Sequence, residues 1–150
     1  MQLTSSAFDD HAVIPRRFTC DGEDQSPELA WSGSPPQTRS FVVLCDDPDA
    51  PAGTWHHWAA YDIPPDHTSL ARDAARHARG FKQAVNDFGR VGYGGPCPPH
   101  GHGAHRYRFR VLALAVPRLA LPAGASCRDL ERAARQHIIA EATLVGLYER

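Results

Sequence analysis

The sequence predicts a mainly β fold, a sandwich of short strands with one or two short helices, and three observations carry that prediction. Nine of the thirteen prolines fall in clusters at Pro35-Pro36, Pro48 to Pro51, Pro64-Pro65 and Pro96 to Pro99. Proline fixes φ and lacks an amide donor, so such clusters mark loops and strand ends. The longest apolar runs, Phe41–Cys45 and Val111–Val116, have strand length and fall far short of the roughly 20 residues of a membrane helix. Finally, Tyr107, Phe109 and Val111 alternate with Arg106, Arg108 and Arg110, the period-two pattern of a half-buried strand.

Taken in chain order, the first eight residues and Glu28–Trp31 offer short strands. Ser40–Asp46 is β-branched and aromatic and reads as a buried strand running into a proline loop. Thr54–Ile63, rich in Trp, His and Tyr and closed by Pro64, reads as the next strand. Thr68–Ala78 is alanine-rich, follows a proline turn and has Gly80 as a stop, so it is expected to be helical. His105–Val116 is the alternating strand, with its arginine row read as a solvated face. Ser126 is placed to cap a helix with Asp129 at N3, running to about Ala140 with Leu130, Ala134 and Ile138 on one face. Thr143–Tyr148 reads as a final strand. Many strands with few helices point to a sandwich, not an α/β layer fold.

Bulk properties narrow the function classes. A chain of 150 residues has the length of one domain, 1–150. Its 42% hydrophobic and 22% charged residues suit a core with a soluble surface. The net charge of −1 provides no whole-molecule field for nucleic acid or anionic lipid, so any anion recognition must be local. Met1–Asp10 has no basic stretch followed by an apolar run, so no secretory signal is expected. None of Cys20, Cys45, Cys97 and Cys127 forms a CxxC pair, which argues against a closed zinc site. The default is free thiols and a cytoplasmic location, although an even count leaves one or two bridges open.

Three segments concentrate unusual polar residues, each at a strand end or in a proline loop: Asp46-Asp47-Pro48-Asp49-Ala50-Pro51, Trp55-His56-His57-Trp58, and Gly92 through Tyr107. Strict alternation puts Trp55, His57, Ala59 and Tyr61 on one face and His56, Trp58 and Ala60 on the other. It likewise groups His105, Tyr107 and Phe109. His57 and His105 can therefore meet at the mouth of the sandwich over a floor of Tyr107 and Trp55. Imidazole and phenol are donors, and imidazolium attracts phosphate or carboxylate. Asp47 suits two tasks, fixing the tautomer of His57 or His105, or receiving a ligand ammonium.

The same segments resemble the phosphatidylethanolamine-binding protein family, and in particular its prokaryotic Raf kinase inhibitor-like branch. The resemblance lies in Asp47-Pro48-Asp49-Ala50-Pro51, Trp55-His56-His57, Gly95-Pro96-Cys97-Pro98-Pro99 and Gly103-Ala104-His105-Arg106-Tyr107. It extends to Thr19-Cys20-Asp21-Gly22, Ser26-Pro27 with Trp31, and Asn86-Asp87-Phe88-Gly89. It implies a Greek-key β-sandwich with a small anion pocket at one end. Asp47, His57, His105 and Tyr107 would line that pocket, with Pro99 and Trp55 as wall. The implied ligand is phosphate, phosphoethanolamine or a phospholipid head group, and the implied partners are a kinase or a second copy of the chain. No cofactor, metal or catalytic residue is expected. His100 departs from the pattern, since many relatives carry a lysine there.

Two rival readings stand beside this one. The first is a hydrolase, using either a metal held by Asp47 and His56, His57, His100, His102 and His105, or Cys97 as a reactive thiol. The chain lacks His-Glu-x-x-His and Gly-x-Ser-x-Gly motifs, and adjacent strand histidines point to opposite faces. The second is a sandwich with a vestigial site that acts through its surface.

Overall fold

The structure is a computed structural model describing residues 1–150. Its elements are β1 (Gln2–Thr4), β2 (Ala12–Val13), β3 (Leu29–Ser32), β4 (Ser40–Asp47), β5 (Trp55–Ile63), β6 (Ser69–Leu70), β7 (Lys82–Gln83), β8 (His105–Leu114), α1 (Cys127–Ala134) and β9 (Ile138–Tyr148). Strands β1, β3 and β6 form one sheet. The other has the order β2-β9-β8-β4-β5-β7. All pairings are antiparallel except β2 with β9. The chain makes a hairpin from β4 to β5, then crosses over to return as β8 on the other side of β4, as expected of a Greek-key sandwich. No helix is long and apolar enough to cross a membrane.

The six-stranded sheet is covered on both faces, which explains why β4 is a continuous apolar run. On its inner face Phe41, Val43 and Cys45 join Phe109, Val111, Trp58 and Ile63, with Leu29 and Trp31 facing them from the smaller sheet. On its outer face Val42, Leu44, Leu112 and Leu114 pack under Cys127, Leu130 and Ala134 of α1. Every residue of β4 is consequently buried. The alternation of β4 continues to its end, placing Asp47 on the inner face and Asp46 on the outer one.

Strict alternation fails in β5, however. Cys45 pairs with Trp58 but Asp46 pairs with His56, so His57 is the extra residue of a β-bulge. Trp55 and His57 do share a face, opposite His56. Beyond the bulge, Trp58 and Ala60 join the inner core, while Ala59 and Tyr61 turn towards α1. The expected grouping of His57 with Ala59 and Tyr61 is thereby corrected.

Three further expectations are revised. Thr68–Ala78 is not a helix: Ser69–Leu70 pairs with β3, and only Ala74–Arg76 makes a single 3₁₀ turn. Asp73 adopts φ of 64° and donates its amide to Ser26 O (2.8 Å), while the Ala75 amide goes to Ser26 Oγ (3.1 Å). Those donors are lost to a helical ladder. The C-terminal helix has the expected cap, with Ser126 Oγ accepting from the Asp129 amide (3.1 Å). It nevertheless stops at Ala134, because Ile138 already opens β9, which pairs along the whole of β8. Finally, the arginine row is not simply solvated. Arg106 grips Asp49 through two side-chain bonds (2.7 and 2.9 Å), Arg108 meets Asp46 (2.7 Å), and Arg110 bridges Asp46 (2.9 Å) and Glu131 of α1 (2.8 Å).

Candidate functional site

At one end of the sandwich the β4–β5 loop, the start of β5 and the loop before β8 enclose a cavity of about 200 Å³, lined by Ala50, Pro51, Trp55, His57, Phe88, Cys97, Pro99 and Tyr107. The bulge in β5 aims His57 into this space. Its Nδ1 lies 2.6 Å from Gly94 O. A carbonyl only accepts, so Nδ1 carries the proton and Nε2 is left for the cavity. Gly94 makes this approach possible because a Cβ there would collide with the Phe88 ring. Burial lowers the pKa of His57, with the Gly94 carbonyl and Asp47 opposing the shift. The ring is therefore held neutral, contrary to the imidazolium donor expected from sequence.

Tyr107 forms the floor. It is 0% exposed, and its ring stands edge-on to His57 with centroids 5.3 Å apart. Its hydroxyl is buried without a hydrogen-bond partner. Burial first, then the charge of Asp47, pushes its pKa well up, so it remains a hydroxyl donor. Trp55 stands at the rim, not on the floor, and meets Phe88 edge-on at 5.5 Å. Phe88 is an exposed aromatic wall of the cavity, and its only signal in the sequence is its place in the Asn86-Asp87-Phe88-Gly89 motif. Asn86 Oδ1 accepts from the amides of Phe88 (3.0 Å) and Arg90 (3.2 Å), fixing the turn that presents the ring.

Asp47 and His105 lie beside the cavity, fully buried and joined to each other. Asp47 Oδ2 accepts from His105 Nδ1 (2.7 Å), and its Oδ1 accepts from the Asp49 amide (2.8 Å). Both oxygens accept within the protein, and Asp47 is not among the residues that line the cavity. Of the two tautomer-fixing tasks, it performs the one on His105, while Gly94 performs that on His57. His102 Nδ1 approaches His105 Nε2 at 2.6 Å, a contact with no signal in the sequence beyond its spacing.

The metal and thiol alternatives lose their geometry. His56 faces the outer side, near Asp46 and Glu131, where nitrogen and oxygens come within 4.8 Å of one another. Arg110 already bridges both carboxylates there, so a cation would have to displace it. Cys97 is not a reactive thiol: it is bonded to Cys20 across a separation of 77 residues. Only Cys45 and Cys127 are free, and both are buried. The expectation of four free thiols is corrected, and the argument from free thiols to a cytoplasmic location loses its basis.

The family model for phosphatidylethanolamine-binding protein matches residues 4–149. The chain belongs to the phosphatidylethanolamine-binding protein family. It is 51% identical to a UPF0098 protein of Aquifex aeolicus, covering all of this chain and 89% of that one. It is 48% identical to a UPF0098 protein of Methanothermobacter thermautotrophicus, covering all of this chain and 99% of that one. The crystal structure of Escherichia coli YbcL, described as a new member of the mammalian PEBP family, superposes with a TM-score of 0.95 at 35% identity, covering 99% and 98% of the two chains. A homologue from Chlamydia trachomatis gives 0.89 at 38% identity, covering 99% and 97%. The phosphatidylethanolamine-binding protein fold read from the motifs is thus the fold observed.

Proposed function

We propose that this chain binds a small anionic group, a phosphate or phosphate-bearing head group, in the cavity between His57 and Tyr107. The observation that carries the reading is the Tyr107 hydroxyl. A buried donor without a partner costs about 1–3 kcal/mol, and a ligand oxygen in the cavity would supply the missing acceptor. His57 Nε2 converges on the same space. Since the ring is neutral, it would take a proton up with the anion or accept one from a protonated phosphate oxygen.

Asp47 and His105 support the floor from behind, and Trp55, Phe88, Pro51 and Pro99 form an apolar collar. That collar suits the organic part of a phosphate ester better than a bare ion. Modulation of a kinase rests on the family resemblance alone. The test is calorimetric titration with dimethyl phosphate, singly charged throughout the working range. His57→Ala should lose on the order of 1.5–3 kcal/mol, the worth of a hydrogen bond to a charged group. His56→Ala, on the outer face, should lose much less. Equal losses for the two variants would refute the site.

A further inference from the structure

His105, expected in the site and lying beside the cavity, has both ring nitrogens engaged within the protein. Its Nδ1–H is committed to buried Asp47, so a ligand can reach it only at Nε2. His102 Nδ1 sits on that atom at 2.6 Å. The two partners differ sharply in exposure: His105 is 2% exposed and set in β8, whereas His102 is exposed on a turn. Gly101 (φ 74°) and Gly103 (φ 86°) flank it, and a Cβ on either would meet nothing within 4 Å. Gly101 donates to Arg150 O (3.0 Å) and the His102 amide reaches Pro99 O at 3.3 Å, so the backbone is anchored while the ring is held by one side-chain hydrogen bond.

We infer that His102 is a displaceable plug, an internal occupant of the position at His105 Nε2 that an anion would otherwise fill. The inference rests on the anion-binding reading above. With the plug seated, a ligand meets His57 and Tyr107 only. With it withdrawn, His105 takes up a proton together with the anion, and its Nε2–H, oriented by Asp47 behind it, becomes a further donor. Such a plug sets affinity and ligand size. Releasing one uncharged hydrogen bond costs about 0.5–1.5 kcal/mol, so its removal should tighten binding roughly 2- to 10-fold.

The experiment uses the full chain as wild type, His102→Ala and His57→Gln, with dimethyl phosphate as probe. Calorimetry reads affinity and histidine-ring nitrogen NMR reads His105 Nε2. In wild type at saturation, the His102 Nδ1 and His105 Nε2 signals should move together as the contact breaks. His102→Ala should shift His105 Nε2 before any probe is added, and then bind 2- to 10-fold tighter. Binding by His102→Ala alone would equally support the plug. If wild type binds, with binding lost in His57→Gln, yet His102→Ala binds no tighter, the plug is overturned and the anion site stands. Weaker binding by His102→Ala would make His102 a ligand contact, again overturning the plug. Binding by neither protein would overturn the anion reading and the plug together.

Discussion

Replacing Tyr107 with Phe separates a ligand-binding hydroxyl from a structural one. In the free protein this side chain is 0% exposed, and its hydroxyl has no hydrogen-bond partner. Deleting the oxygen breaks no intramolecular bond and removes a desolvated polar atom. The ring, packed edge-on against His57, stays in place. Stability should therefore be unchanged or rise by up to about 1 kcal/mol, against the loss of about 1 kcal/mol expected when a satisfied buried hydrogen bond is cut. With a phosphodiester bound, the same oxygen would donate to an anion, a contact worth about 1.5–3 kcal/mol. At 1.4 kcal/mol per factor of ten, Kd should rise by roughly 10- to 100-fold. Calorimetry with dimethyl phosphate and urea unfolding of both proteins measure the two halves. Marked destabilisation with unaltered affinity would refute the reasoning, because the hydroxyl would then be serving the fold and not a ligand.

The remaining predictions concern the supports of the site. Replacing Cys20 and Cys97 together with Ser should cost about 4.5 kcal/mol by loop entropy, given the separation of 77 residues; a change under about 1 kcal/mol in denaturant unfolding would show that the bond constrains little. Ser126→Ala should cost about 1 kcal/mol through loss of the α1 cap and leave anion affinity intact, and a selective loss of binding would contradict the placement of α1 on the outer face of the sheet. For His57, whose pKa burial lowers below the ordinary histidine value of about 6.5, the unfolded chain binds the proton more readily. Its contribution to stability is therefore full above pH ~6.5 and is lost as pH falls towards the folded value. Anion binding reverses the preference, since the anion favours imidazolium. Affinity for dimethyl phosphate should rise on acidification while the free protein weakens, and His57→Gln should flatten both profiles.

The sandwich was legible because its signals are local. Proline clusters punctuate the strands, β4 is apolar on both faces, and Tyr107, Phe109 and Val111 alternate with arginines. The failures arose where a distant group outbid a local preference. Alanines after Thr68 favour a helix, yet Ser26, far along the chain, takes the amides of Asp73 and Ala75. The helix period through Leu130 and Ala134 extends naturally to Ile138, but pairing with β8 claims that residue for β9. The arginines on the outer face of β8 look solvated until Asp46 and Glu131 are brought against them. The disulfide joins residues that nothing in the spacing of four isolated cysteines could pair.

For the candidate site, sequence parity places His57 on the face that lines the cavity in spite of the bulge. Trp55 and His57 precede the point where the register slips, so alternation counted from Trp55 is still correct at His57 and fails only from Trp58 onward. The bulge has its own consequence: with His57 as the extra residue, the strand returns Trp58 to the inner core directly after it. There Trp58 packs edge-on to Tyr93 at 5.7 Å and donates Nε1–H to Gln83 (2.8 Å). In a regular strand, Trp58 and His57 would face opposite sides, and one of them would leave the inner face. The irregularity lets β5 supply the core with a large side chain and the cavity with an imidazole from consecutive positions. Deleting one residue here would force a choice between the two, because a one-residue slip moves side chains to the other face. The bulge is thus a requirement of the site, and it accounts for a strand whose pattern looks confused opening beside the cavity.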